Sequence, residues 1–311
     1  MSFLMRLIPR AKRRLSLPFK GLLSARRMSI ISLLGAAVVL GGCSAVRVGY
    51  NNAPTVTYWW LDRYFDFDTS QSVRVRADLK ALHDWHRAQE LPRAAELLRK
   101  LRQDTPQATS PALLCGLYSD VKDRGIVALQ RMVPTLAALV PTLQDAQIAH
   151  IAQQFDKRNQ VWREQWLDGT PAQREQRRAQ QMLDRATSFY GKLTPEQADL
   201  VPTLLGSSGA DVETLLQERV QRQQDTLQTL RTLRDTADTT QAQREAQLQA
   251  LLARAVQPTS PLVRQAWARW ADQSCAVAAA LHNSSSPAQR LHLADTLQRY
   301  ENDVLVLIAQ R

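Results

Sequence analysis

Glycine is scarce in this sequence, 11 of 311 residues, and cysteine scarcer still at three. Few glycines leave little room for the phosphate-cradling loops of nucleotide-binding α/β folds or the tight hairpins of all-β folds, since both rely on backbone conformations that glycine adopts most readily. Three cysteines exclude a disulfide-dense scaffold. No acidic residue occurs before Asp62. Also missing are Gly-x-Ser-x-Gly, His-Glu-x-x-His, a Walker A loop, a Rossmann glycine fingerprint and Cys-x-x-Cys, so the chain reads as non-enzymatic and without a cofactor. Asp62 and Asp66 are i, i+4 neighbours but make no distinctive acid/base pair, because acids so spaced are commonly solvated on a helix face. What is present, 44% hydrophobic and 22% charged residues, suffices to bury a core and excludes wholesale disorder.

The formal charge is +11 and the pI near 10.1, which taken alone suggests a nucleic-acid binder. Its distribution argues otherwise. Arg6, Arg10, Lys12, Arg13, Arg14, Lys20, Arg26 and Arg27 precede an uncharged, mostly apolar stretch from Ile30 to Leu40. Eleven residues are too few for the ~20 that cross a bilayer as a helix, but suit the hydrophobic region of a signal peptide. The stretch ends in Leu40-Gly41-Gly42-Cys43. Arg26-Arg27 lacks the flanking pattern of a twin-arginine signal. Removal of residues 1–42 would leave 32 basic against 29 acidic residues, a balance of only +3. Only five of those 32 are lysine, so the basicity belongs mostly to the export segment and nucleic acid is not an expected partner.

The rest of the chain reads as a multi-helix, all-α bundle. Thr105-Pro106, Ser110-Pro111, Thr170-Pro171, Thr194-Pro195, Ser260-Pro261 and Ser286-Pro287 each resemble a helix start. A Ser or Thr oxygen satisfies an orphan N–H, and Pro in the first turn has no N–H to lose. Leu193-Thr194-Pro195-Glu196-Gln197 adds Gln at the position that completes a capping box. Apolar residues follow helical spacing, as in Ile148, Ile151, Phe155, Trp162, Trp166 and in Val263, Trp267, Trp270, Val277, Leu281, and period-two alternation is absent. Helices are expected near 54–65, 70–89, 91–103, 111–133, 142–167, 171–190, 195–205, 210–235, 240–256, 261–282 and 287–309. The domain plan is a signal peptide at 1–42, a short tether at 43–53 and a helical domain at 54–311. Residues 210–256, polar with a narrow Leu stripe, read either as a projecting hairpin or as two peripheral helices of the bundle. Gly206-Ser207-Ser208-Gly209 is the most linker-like point.

Few residues suggest chemistry. Tyr50, Tyr58, Trp59, Trp60, Tyr64, Phe65 and Phe67 hold seven of the nineteen aromatics. Tyr58, Trp59 and Trp60 are candidates for a membrane–water boundary, where amphipathic rings sit well; the alternative is the core face of a first helix. His83 and His86 lie at i and i+3, a spacing that suits two metal ligands, yet no third is evident and no metal site is expected. Cys115 and Cys275 could close a disulfide in an oxidising compartment. The apolar setting Leu113-Leu114-Cys115-Gly116-Leu117 favours free, buried thiols instead.

Leu40-Gly41-Gly42-Cys43 resembles the bacterial lipobox, which implies cleavage before Cys43 and attachment of a diacylglycerol and a fatty acid to that residue. Each buried CH₂ adds ~0.8 kcal/mol, so such an anchor is effectively permanent. Ser44 rather than Asp after the cysteine implies, by the sorting rules of Gram-negative lipoproteins, an outer-membrane location, where the body is expected to face the periplasm. Gly49-Tyr50-Asn51-Asn52, Trp59-Trp60-Leu61-Asp62 with Tyr64, Gln71, Trp85-His86-Arg87 and Leu91-Pro92-Arg93 extend the likeness to a family of helical Gram-negative lipoproteins classed as a domain of unknown function. That resemblance implies a fold type and a location, and no activity. Leu193-Thr194-x-x-Gln197 also resembles the motif of the periplasmic chaperones related to Spy and CpxP. The expectation is a lipid-anchored envelope module with protein partners not named by the sequence. The alternatives are a periplasmic chaperone or stress-response binder and, behind it, a cell-wall-active enzyme.

Overall fold

The computed structural model describes residues 44–205, 212–236, 238–258 and 260–310; among these the regular elements are α-helices and one 3-10 turn, with no strand. In chain order the helices are α1 (Ala45–Asn51), α2 (Ala53–Phe65), α3 (Thr69–Asp104), α4 (Pro111–Gln130), α5 (Val133–Leu139), α6 (Asp145–Trp166), α7 (Pro171–Tyr190), α8 (Pro195–Leu205), α9 (Val212–Asp235), α10 (Gln241–Val256), α11 (Pro261–Asn283) and α12 (Pro287–Ala309). The 3-10 turn Val140–Thr142 joins α5 to α6. This is the all-α, multi-helix architecture that the spacing implies. The export segment, including Leu40, Gly41, Gly42 and Cys43, and the Gly206–Gly209 stretch lie outside the described residues.

Five of the six Ser-Pro and Thr-Pro pairs start helices. The side-chain oxygens of Ser110, Thr170, Thr194, Ser260 and Ser286 accept from the backbone N–H three residues on, at 3.2–3.5 Å. Thr105-Pro106 does the reverse. Thr105 caps the end of α3, where its hydroxyl donates to the Arg102 carbonyl at 2.9 Å and Pro106 cannot continue the helix.

Residues 70–103 form one helix rather than two. α3 runs 36 residues, about 54 Å at 1.5 Å per residue. Pro92 sits inside it on the exposed side, where the lost N–H bond and ring crowding can be relieved toward water, while neighbouring Leu91 and Ala95 are buried against α12. The expected 111–133 helix stops at Gln130, and Val133-Pro134 begins α5.

Three apolar clusters hold the bundle. The largest joins Tyr58 of α2, Val75 and Leu79 of α3, Ala137 of α5, Ile148 and Ile151 of α6, Leu230 and Leu233 of α9, and Leu248 and Leu251 of α10. Of the two readings left open for 210–256, the structure has the helices as part of the bundle: their narrow Leu stripe inserts into this core. A second cluster gathers Ala179 and Ala186 of α7, Val201 and Leu205 of α8, and Val277 and Leu281 of α11. The third joins Leu91 and Ala95 to Val304 and Leu307 of α12, with Tyr50 of α1 against it.

Two buried glutamine pairs lock helix starts together. Gln71 and Gln147 each close a capping box at the start of α3 and α6, accepting from the backbone N–H of Asp68 and Gln144. Their amides also bond each other, and Gln147 Nε2 donates to the carbonyls of Phe65 and Asp66. Asp66 is left-handed, φ 48°, and ends α2; the Gln147 amide holds that turn. Gln197 and Gln289 repeat the arrangement at the starts of α8 and α12, at 2.9 and 2.8 Å, and reach the carbonyls of Ser284 and Lys192. In both pairs every amide proton and oxygen is used, the condition under which buried polar groups stabilise rather than destabilise.

Candidate functional site: the docked N-terminal helix

Of the stretch read as a tether, residues 45–51 form helix α1, and side chains fix it to α3 and α12. Arg47 pairs with Asp303 at 3.2 Å. Asn51 donates to Gln310 Oε1 at 3.1 Å and accepts from Arg87 at 2.8 Å, while Arg87 also donates to the Gln310 carbonyl.

Tyr50 is the centre of the dock. Its ring lies 4.6 Å from that of His83, its carbonyl accepts from His83 Nε2 at 3.0 Å, and its hydroxyl meets His86 Nδ1 at 3.0 Å. A carbonyl only accepts, so the His83 proton is on Nε2; the Tyr50 hydroxyl and His86 Nδ1 share a hydrogen bond in which either can be the donor, according to the His86 tautomer. Burial holds both imidazoles below the ordinary histidine pKa and pushes the Tyr50 phenol up, the latter opposed by Arg87. The i, i+3 pair thus receives the N-terminal helix. Among the described residues no three His, Cys, Asp or Glu side chains come together as a metal site.

One turn beyond His86, Glu90 is buried at 7% exposure and gripped by Arg124 of α4, with Nε at 2.8 Å and Nη2 on its other oxygen, and by Arg93 at 2.9 Å. The Arg124 guanidinium holds this carboxyl below its usual range. This grip matters because no residue of α4 is fully buried. The second fastening is a disulfide between Cys115 and Cys275 of α11, S–S 2.02 Å. The expectation of free thiols is thereby corrected: the apolar residues around Cys115 ride on a surface helix laid against α11, not in a core. Pro111–Thr142 is long and apolar enough by composition to cross a membrane, but it is broken into α4, α5 and the 3-10 turn, with Val133, Ala137, Leu139 and Val140 in the main core.

The aromatic run divides between inside and outside. Tyr58, a candidate for the membrane boundary, is buried at 5%; its hydroxyl meets Ser72 Oγ at 2.8 Å and donates to Asp62 at 3.3 Å, and Arg76 covers its ring. Tyr64 is buried too, whereas Trp59 is 62% and Trp60 39% exposed. A step of one residue turns a helix by 100°, so neighbours in this run take opposite fates.

A second tyrosine–histidine contact lies elsewhere in the bundle. Tyr190 meets His282 Nδ1 at 2.9 Å, and His282 Nε2 donates to the Gln107 carbonyl at 2.8 Å. Burial pushes the Tyr190 phenol up to about 12. Beside it an open groove of about 750 Å³ runs between the end of α3 and the start of α12. Its arginines are already engaged, Arg102 by Glu301 and Arg290 by Ser285 and the Pro106 carbonyl. Its hydroxyls are engaged with backbone, Ser285 donating to the His282 carbonyl and Thr105 to that of Arg102.

No curated protein and no solved structure matches the chain, so the likeness of Leu193-Thr194-x-x-Gln197 to the Spy and CpxP chaperones finds no support, and the motif's Gln is accounted for by its buried partner. A family model does match, over residues 63–264. Tyr64, Gln71, Trp85-His86-Arg87 and Leu91-Pro92-Arg93 fall within that span, and the earlier motifs fall ahead of it. By that match, which covers well over half its length, the chain belongs to DUF6279, a family of unknown function.

Proposed function

We infer that the protein is an envelope lipoprotein, anchored in the outer membrane through lipid on Cys43, whose helical body serves as a non-enzymatic interaction or structural module. The observation that carries the reading is the sequence Leu40-Gly41-Gly42-Cys43 behind a basic and then apolar leader. Two further features support it. Helix α1 begins two residues after that cysteine and is fastened to the body, a suitable junction between anchor and domain. A disulfide between positions 115 and 275 suits an oxidising compartment.

Fractionation of the tagged full-length protein tests it. The wild type is expected in the outer membrane, and Cys43→Ser is expected to lose its place there, either released as soluble protein or retained unprocessed in the inner membrane. Identical outer-membrane recovery of both, or recovery of both as soluble protein, overturns the reading.

A further inference from the structure

The geometry points to a membrane-lying face: a stripe on α1 and α2 formed by Val48, Asn52, Thr55, Trp59 and Arg63, seated in the headgroup layer of the bilayer that holds the Cys43 lipid. This rests on the lipidation of Cys43.

The break between α1 and α2 is slight. Asn52 keeps a right-handed helical conformation, its N–H donates to the Val48 carbonyl at 3.2 Å, and its carbonyl accepts from Val56 at 3.0 Å. The two helices therefore stay near one helical phase, in which steps of four, three, four and four residues trace a single line. All five residues on that line are exposed, Val48 at 49% and Trp59 at 62%. Trp60 borders it at 39%. An exposed Trp with an aliphatic residue on one side and a cation on the other is the composition of an interfacial helix.

The charge agrees. The stripe carries one formal charge, that of Arg63, which suits anionic lipid. Asp62, beside Arg63 in sequence, is turned inward, where its carboxylate accepts from Phe67 N–H at 3.1 Å and from Tyr58, while Asp66, three residues past Arg63, is exposed just beyond that end of the stripe.

Chain length then selects the occupant. Cys43 is two residues from Ala45, so its α-carbon is at most about 7.6 Å from that of the first residue of α1. Because α1 is bound to α3 and α12 through Tyr50, Asn51 and Arg47, no slack remains to lift the body away from the lipid. Trp59 is 14 residues beyond Ala45, about 21 Å along the helices. An anchored body that lies with α1 and α2 along the bilayer surface reaches it with Val48 and Trp59 together.

The test uses the full-length protein, processed in cells, purified and reconstituted in vesicles of phosphatidylethanolamine and phosphatidylglycerol with brominated acyl chains near the headgroups. Mass spectrometry of the N-terminal peptide first establishes the lipid on Cys43. Tryptophan emission of the wild type is expected to be quenched, and Trp59→Phe and Trp59→Phe/Trp60→Phe to lose most of that quenching. Trp270→Phe removes a comparably exposed indole on α11, 45% exposed, and is expected to leave it unchanged. Lipidated protein whose emission is not quenched, or equal loss on removing Trp270, overturns the proposal alone. Trp59 emission shifted to the blue without quenching would give the stripe to a protein partner or a second copy, and would also overturn it. Unmodified Cys43 would overturn the anchor and this face with it.

Discussion

Removing the Cys115–Cys275 bridge by Cys115→Ser/Cys275→Ser should destabilise the protein mainly through its unfolded state. The bridge closes a segment of 160 residues in sequence separation, and the chain-entropy relation gives about 5 kcal/mol at 25 °C for a loop of that size. Bridges commonly deliver less than this limit, so a loss of about 3–5 kcal/mol is expected in urea denaturation followed by far-UV circular dichroism. The structure also says where the native state loosens. With no fully buried residue, α4 would be left with the Arg124–Glu90 pair and partly buried side chains, so hydrogen exchange at 111–130 should accelerate well before that of α3 or α12. Loss below about 1 kcal/mol, exchange that rises uniformly, or alkylation of both thiols in the unreduced wild type would refute the reasoning.

Gln147→Ala strips two turn carbonyls of their donor and leaves the Gln71 amide short of a partner, with an expected cost of about 2–3 kcal/mol. Adding Gln71→Ala should cost clearly less than it does alone; additive losses in that double-mutant cycle would deny the coupling. Arg124→Ala strands the buried Glu90 with only Arg93 and is expected to destabilise the fold more than Glu90→Gln does, because in the latter the freed Arg124 reaches water. The reverse order in chemical denaturation would contradict this assignment. For pH, His83 and His86 have folded pKa values held below the ordinary value by burial, so their contribution is fully present above about pH 6.5 and is lost as pH falls through the lowered values. Tyr50, Asp84, Arg87, Lys80 and Glu90 surround them, and Glu90, itself lowered, titrates only below the ordinary carboxylate value, in a separate window. Stability measured from pH 7 to pH 5 should flatten in His83→Gln/His86→Gln; an unchanged slope counts against the docked histidines.

What could be read in the sequence is what local chemistry decides. Ser110, Thr170, Thr194, Ser260 and Ser286 announce their helices because a cap is made within four residues. Thr105 misleads because the same hydroxyl serves equally well at a helix end, bonding backward to Arg102. Pro92 suggests a break that packing of Leu91 and Ala95 on α12 overrides. Helix α1 is seven residues long, too short to stand alone, and exists through Tyr50, Arg47 and Asn51, whose partners lie up to 259 residues away. The glutamine pairs are half legible. Thr194 and Gln197 show the box, but nothing local shows that Gln289 faces it. Tyr58 and Trp59 differ in fate by one helical step, which only the positions of α3 and α6 decide.

The central claim, a helical body held on lipid through Cys43, is tested most directly by the mass of the mature N-terminal peptide from membranes of cells expressing the full-length chain. The account predicts a peptide that begins at Cys43 and carries a diacylglycerol on sulfur and a fatty acid on the new α-amine. A chain that begins anywhere ahead of Cys43, with that thiol free, would contradict it.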